Sequence, residues 1–344
     1  MTVLKLTAAA LVASVAFAGA ASARDQIQIA GSSTVLPYAK IVAETFGETF
    51  NKFKTPVVES GGSGAGLKEF CKGVGEATID IANSSRPINK SEVEACKAAG
   101  VTEIQEVRIG YDGIVFAADS GNGDMKIEPK DIYKALAAEV VVDGKLVANP
   151  YKNWSDINPT LPKGPIAAYI PGSKHGTREV FEEKIMSEGC KKSGAADVIK
   201  AAITDAKQAA AKCVAVRKDG VAVDIDGDYT ETLARISANK TGLGVFGLAF
   251  YENNMDKLKV ATVEGVVPST ETISSGKYPV SRPLFFYVKK AHLGVIPGLK
   301  EYVEFFTSDA MVGPDSPLAE YGLVAAPDAQ REQVRKDFAA GKTM

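Results

Sequence analysis

Three short stretches of the chain place glycine beside hydroxyl side chains immediately before an apolar-periodic segment: Gly31-Ser32-Ser33-Thr34, Gly62-Ser63-Gly64 and Gly176-Thr177-Arg178. A helix N-terminus carries unsatisfied N–H groups and partial positive charge, glycine lets backbone approach a ligand, and Ser or Thr adds donors. Each junction taken singly is an ordinary N-cap and turn. Three of them in one chain point to an anion site.

Asn83-Ser84-Ser85-Arg86-Pro87 closes an apolar run, at the edge where open α/β sheets place ligands, and adds two hydroxyls and a guanidinium. Arg178 adds a second guanidinium, and the two arginines with the hydroxyls could replace the hydration shell of a small oxyanion. Either arginine alone reads equally well as a solvated surface side chain. Ser32, Ser84 and His175 are further candidate donors. A nucleotide site is excluded because Leu67-Lys68-Glu69 breaks the Walker pattern. No Gly-x-Ser-x-Gly elbow is present, and with only His175 and His292 there is little general-base capacity, so no catalytic residue is assigned. His292 reads as structural or exposed.

The elements that must hold these loops alternate short apolar strands with amphipathic helices. A strand at Ile27 to Ala30 precedes a helix from about Leu36 to Phe53, whose Ala39, Val42, Ala43, Phe46, Phe50 and Phe53 recur at three- and four-residue steps. Strands at Thr78 to Ala82, Glu103 to Ile109, Ile114 to Ala118 and Val280 to Val288 follow, with helices at about Lys90 to Ala99, Thr177 to Glu188, Ala195 to Lys212 and Tyr229 to Asn239. Val142 to Asn158 is polar and turn-rich. The class is α/β with a mostly parallel sheet.

The 344 residues suffice for about two domains. Apolar residues at 45% and charged residues at 24% describe an ordinary globular chain, and 40 Lys plus Arg against 42 Asp plus Glu give a net charge of −2, without the basic excess of a nucleic-acid binder. Residues 1–23 carry one charge, Lys5, then an apolar run from Leu6 to Ala18 and the small residues Ala21-Ser22-Ala23, the pattern of a cleaved secretory signal. A buried N-terminal helix is the alternative, disfavoured because the run has no polar face. Export suits a bacterial periplasm and makes disulfides of Cys71, Cys96, Cys190 and Cys213, for which three connectivities exist. Local pairing, 71 with 96 and 190 with 213, is expected. No Cys/His cluster has metal-ligand spacing, and no cofactor or metal is expected.

Six stretches in order, Ile29-Ala30-Gly31-Ser32-Ser33-Thr34-Val35, Glu59-Ser60-Gly61-Gly62-Ser63-Gly64-Ala65-Gly66, Asp80-Ile81-Ala82-Asn83-Ser84-Ser85-Arg86-Pro87, Trp154-Ser155-Asp156-Ile157, Gly176-Thr177-Arg178-Glu179 and Tyr278-Pro279-Val280-Ser281-Arg282-Pro283-Leu284, resemble the bacterial periplasmic phosphate-binding proteins, the substrate-binding subunits of phosphate ABC importers. The resemblance implies a two-lobed periplasmic binding protein fold of type II, each lobe a mixed sheet flanked by helices. Lobe one would hold residues 24–110 plus 280–344 and lobe two 111–279. Inorganic phosphate would be clamped between the lobes by hinge bending, and the closed monomer would dock on the membrane permease subunits. By position it implies ligand groups at Ser33, Thr34, Ser63, Ser85 and Arg86 in lobe one, and at Gly176, Thr177 and Arg178 in lobe two.

Two departures bear on specificity. The family's best-known form has an aspartate where this chain has Ser85, and an arginine and a serine where this chain has Pro171 and His175. That aspartate is implied to accept the proton of hydrogen phosphate, which rejects fully ionised sulfate. Asp112, in Gly110-Tyr111-Asp112-Gly113, is the expected substitute, with Arg86 and Arg178 in place of the missing arginine; a plain turn residue is the other reading of Asp112. Sulfate, molybdate or a phosphonate are the competing ligands. An exported phosphate-ester hydrolase, or an adhesion protein that has lost transport, are the competing classes.

Overall fold

The computed structural model describes residues 24–173, 176–226 and 229–344; the signal segment and His175 lie outside them. Its main sheet runs, strand by strand, Val57–Ser60, Gln28–Gly31, Ile81–Ser84, Ser281–Lys289, Ile104–Asp119, Leu243–Gly247, Ala168–Pro171, Ala222–Ile225, with Leu258–Val260 also paired to Ile104–Asp119. The sheet is mixed. Val57–Ser60, Gln28–Gly31 and Ile81–Ser84 are mutually parallel, as are Leu243–Gly247, Ala168–Pro171 and Ala222–Ile225. Between these two sets, Ser281–Lys289 runs antiparallel to both of its neighbours.

The βα alternation therefore gives each parallel set, and the antiparallel pair joins them. The expected break between Glu103–Ile109 and Ile114–Ala118 does not occur: Ile104–Asp119 is one strand of 16 residues. Both of its ends are claimed by neighbours, since Gly113 pairs with Ser281 and Ile114 with Gly247, and this carries the backbone through Gly110-Tyr111-Asp112-Gly113. Asp112 is a strand residue, not a turn residue. The local irregularity instead appears as a register shift between Leu284 and Phe285, opposite Gly110, whose φ of 152° only glycine adopts readily.

Other sequence expectations shift for identifiable reasons. Helix Leu36–Thr49 buries Tyr38, Ala39, Val42, Ala43 and Phe46 as the periodicity requires, but stops before Phe53 because Phe50 leaves helical geometry. Phe50 and Phe53 then fold back around Phe46. The Ala195 to Lys212 segment is two helices, Ala195–Ala202 and Ala206–Val214, the second capped by the Asp205 carboxylate accepting from Gln208 N–H. The polar 142–158 stretch holds most of a hairpin, Glu139–Val142 with Lys145–Ala148, and the short helix Trp154–Ile157 with Trp154 buried.

Buried apolar side chains form one cluster around Phe116, Trp154, Phe181 and Phe246, and two more on opposite faces of the other half-sheet, around Phe46 with Phe286 and around Phe70 with Tyr287. His292 is buried; its Nδ1 lies 2.6 Å from Asp80 and its Nε2 2.7 Å from the Val74 carbonyl. Asp80 also accepts from Arg24 Nη2 at 2.5 Å and Gln28 N–H at 2.8 Å, which ties residue 24 to the sheet. No described helix is long and apolar enough to cross a membrane.

Disulfides join Cys71 to Cys96 and Cys190 to Cys213, the local pairing expected. The second closes a loop with a sequence separation of 23 between helices Glu188–Lys192 and Ala206–Val214. Chain-entropy reasoning assigns about 3 kcal/mol to such a crosslink. Replacing Cys190 and Cys213 together by serine should lower the thermal midpoint by several degrees and make it insensitive to reductant at that site, which calorimetry with and without reductant checks.

Candidate functional site

In each parallel set the strands end side by side, and the loops that leave their carboxyl ends carry the candidate residues. Gly31 is in register with Ser60 and with Asn83, so Ser32-Ser33-Thr34, Gly61-Gly62-Ser63 and Ser85-Arg86 leave the sheet at adjacent points. Pro171 is in register with Ile225, and Gly172 lies against Asp226 just beyond them. Ligands of α/β sheets sit outside such carboxyl ends. Close approach depends on glycine: a Cβ on Gly66 would stand 2.4 Å from Gly31 Cα, and one on Gly31 2.1 Å from Asn83 O. These contacts press helix Ser63–Phe70 onto strand Gln28–Gly31 and hold Ser63 at the strand ends.

A cavity of about 330 Å³ opens where the two sets face each other, lined by Thr34 from one and Thr177 from the other, with Asp112, Tyr38, Tyr229 and Phe250 among its walls. Burial raises the Tyr38 and Tyr229 hydroxyls well above the ordinary tyrosine range, so both stay protonated.

Behind two of its lining residues, Thr34 and Asp112, lies Arg282, 4% exposed and paired in register with Asp112 across the antiparallel strands. Arg282 Nη2 donates to Thr34 Oγ1 at 2.5 Å and Nη1 to Glu183 at 3.1 Å, while Glu179 Oε2 stands 3.5 Å from Nη2. Asp112 Oδ2 is 3.7 Å from Arg282 Nε, too far for a hydrogen bond, and neither buried atom has another hydrogen-bond partner among the described residues. Burial pushes the Asp112 carboxyl above the ordinary aspartate range, the Arg282 charge pulls it back, and the Glu179 charge adds to the rise.

Ser33 and Thr34 both donate to Glu179 Oε2, each at 3.0 Å. Ser32 is committed to the first turn of its own helix, its Oγ accepting from the N–H of Thr34 and Val35. Ser63 and Ser85 pair with each other, Oγ to Oγ at 3.2 Å, and Ser85 N–H donates to Ser63 Oγ at 3.1 Å. Ser84 closes a local turn by donating to the Arg86 carbonyl at 2.6 Å. Gly176 opens a continuous helical stretch that passes through π-helical Phe181–Ser187 to Lys192, and Thr177 lines the cavity.

The two arginines singled out in the sequence are engaged elsewhere. Arg86 makes a two-pronged ion pair with Glu92, at 2.7 and 2.9 Å, which holds the Glu92 carboxyl below its usual range. Arg178 bonds Glu182 at 2.7 Å, the Pro171 carbonyl at 2.9 Å and Asp224. The guanidinium between the strand sets is Arg282, which sequence reasoning quoted only as part of a motif, and Glu179 and Glu183 were likewise unassigned. The available signal was a lone charge inside the apolar Val280 to Val288 run. Among the described residues no three His, Cys, Asp or Glu side chains are grouped as metal ligands.

Residues 17–310 match the family described as the PBP superfamily domain, and the chain belongs to that family. The α/β periplasmic binding protein fold, with its mixed sheet and flanking helices, is the architecture this family uses. Among curated proteins the chain is similar to protein SphX of Synechococcus elongatus, 31% identical over 94% of this chain and 84% of that one. It is also similar to the phosphate-binding protein PstS of Staphylococcus haemolyticus, 29% identical over 90% and 83%. Among solved structures it superposes on a possible phosphate binding protein from Planctomyces limnophilus with a TM-score of 0.68, at 26% identity over 92% of this chain and 99% of that one.

The raised Asp112 carboxyl has a consequence for stability. A folded-state value above the unfolded one means the contribution of this group is fully present below about pH 4, the ordinary aspartate value, and is lost as pH rises through the folded value. Asp112→Asn removes that loss. Its unfolding free energy relative to the unsubstituted protein should therefore improve from about pH 4 up to the folded value of Asp112 and level off above it; denaturant titrations at several pH values check the trend, and a constant difference would contradict it.

Proposed function

We propose that this protein is an exported solute receptor that captures inorganic phosphate between its two strand sets and delivers it to the membrane permease of an ABC importer. The observation that carries the reading is that Thr34 and Thr177, from glycine-bearing helix starts of the two sets, line one cavity, with a buried guanidinium bonded to the back of Thr34. The relatives named for phosphate binding support the choice of ligand. The family is one of solute-binding receptors rather than enzymes.

In this reading residues 24–110 plus 280–344 form lobe one and 111–279 lobe two, joined by the long strands, and the lobes close on the anion. Ser33, Thr34, Gly176 and Thr177 supply direct donors, with Arg282 beneath them. Ser63, Ser85, Arg86 and Arg178 join when the side-chain pairs they now make rearrange. Asp112 accepts the proton of hydrogen phosphate. Two features support that role: it borders the cavity, and its Oδ2 has no hydrogen-bond partner. A sulfate dianion has no proton to offer, so the same oxygen repels it.

Isothermal titration of protein freed of bound anion by unfolding and refolding tests the reading. One phosphate should bind per chain with sulfate and molybdate silent, and sulfate binding as tightly as phosphate would overturn the choice of ligand. Asp112→Asn should weaken phosphate about tenfold, the loss of one charge-assisted hydrogen bond, and narrow the gap to sulfate. An unchanged gap would remove Asp112 from the acceptor role.

A further inference from the structure

Two of the donors assigned to phosphate, the Ser33 and Thr34 hydroxyls, are already engaged by a carboxylate of the chain itself. Glu179 Oε2 receives the Ser33 Oγ and Thr34 Oγ1 protons, both at 3.0 Å, and lies 3.5 Å from Arg282 Nη2. These are contacts between distant parts of the chain. Glu179 stands on the helix that follows strand Ala168–Pro171, whereas Ser33 and Thr34 follow strand Gln28–Gly31. A hydroxyl has one proton to donate. Ser33 and Thr34 cannot give theirs to Glu179 and to a phosphate oxygen at once, so the two acceptors exclude each other.

We propose that Glu179 is a built-in competitor of the anion, a carboxylate that holds the Ser33 and Thr34 hydroxyls and latches the two halves together in the ligand-free protein, and that phosphate binds by displacing it. The proposal rests on the phosphate reading above. Its side chain has the freedom to do this, being 42% exposed while Arg282 is 4% exposed. When Glu179 leaves, Arg282 keeps Glu183 and Asp112 beside it, so no buried charge is stranded. The carboxylate thereby keeps the Ser33 and Thr34 hydroxyls satisfied, and only an anion that bonds these donors better than a carboxylate opens the latch. Weak monoanions such as acetate fail that comparison, and the more highly charged hydrogen phosphate meets it.

The test uses Glu179→Ala and Glu179→Gln, with Glu183→Gln as a control for simple charge removal, because Glu183 pairs with Arg282 but holds neither hydroxyl. Titration calorimetry should show Glu179→Ala binding phosphate about tenfold tighter than the unsubstituted protein, the worth of the charge-assisted bonds no longer broken, and Glu183→Gln changing affinity less. Ser33→Ala should weaken phosphate binding more in the Glu179→Ala background than alone, because only there is the Ser33 proton not taken from a rival acceptor. Additive effects of the two substitutions, or weaker binding by Glu179→Ala, would overturn the proposal. Small-angle scattering without ligand supplies an arm independent of phosphate: Glu179→Ala should expand relative to the unsubstituted protein, and an unchanged radius of gyration would overturn the latch. Silence toward phosphate in every variant would instead overturn the phosphate reading, leaving the scattering result to decide the latch on its own.

Discussion

Arg282 is a permanent cation on a strand buried by both neighbours, and the site is arranged around the need to keep it satisfied. Removing a guanidinium from water costs several kcal/mol unless each donor finds an acceptor. Here it faces counter-charges and acceptors from three directions: the Asp112 carboxylate on the adjacent strand, 3.7 Å from Nε and not hydrogen-bonded to it, the Thr34 hydroxyl at a helix start, and Glu179 and Glu183 on the opposite helix. The long antiparallel pair that carries Arg282 and Asp112 also joins the two parallel sets. The connection between the halves thus also supplies a wall of the cavity, through Asp112.

The three arginines near the strand ends each face at least one carboxylate: Arg86 faces Glu92, Arg178 faces Glu182 and Asp224, and Arg282 faces Asp112, Glu179 and Glu183. Anion capture here cannot depend on an excess of positive charge, in keeping with the chain's net charge of −2. In the proposed reading it depends on hydroxyls and backbone N–H groups at helix starts, whose dipoles are fixed before the ligand arrives. Carboxylates close to such a site favour an oxyanion that still carries a proton, because that ion alone can donate to them.

The α/β class, both disulfide pairs and the three glycine-hydroxyl junctions were legible in the sequence, because each depends on local pattern: apolar periodicity, short cysteine separations, and turn chemistry before a helix. The continuous strand through Gly110 and Gly113 was not, because two glycines read locally as a break and only pairing with Ser281 and Gly247 overrides them. Of the arginines' partners only Glu182, four residues beyond Arg178 on one helix, follows from spacing. Arg86 and Arg178 stood beside the right motifs, yet their pairing with Glu92 and Asp224 depends on three-dimensional reach. Arg282 was visible as a charge in an apolar run, but its place under Thr34, 248 residues away, belongs to the fold alone.

The most direct test of this account is a crystal structure of the mature protein with phosphate. The account places the phosphate on Ser33 Oγ, Thr34 Oγ1, the Gly176-Thr177 helix start and Arg282, with the Glu179 carboxylate turned away from all of them. A phosphate seated against the Tyr38 and Tyr229 side of the cavity, with Glu179 still bonded to Ser33 and Thr34, would contradict it.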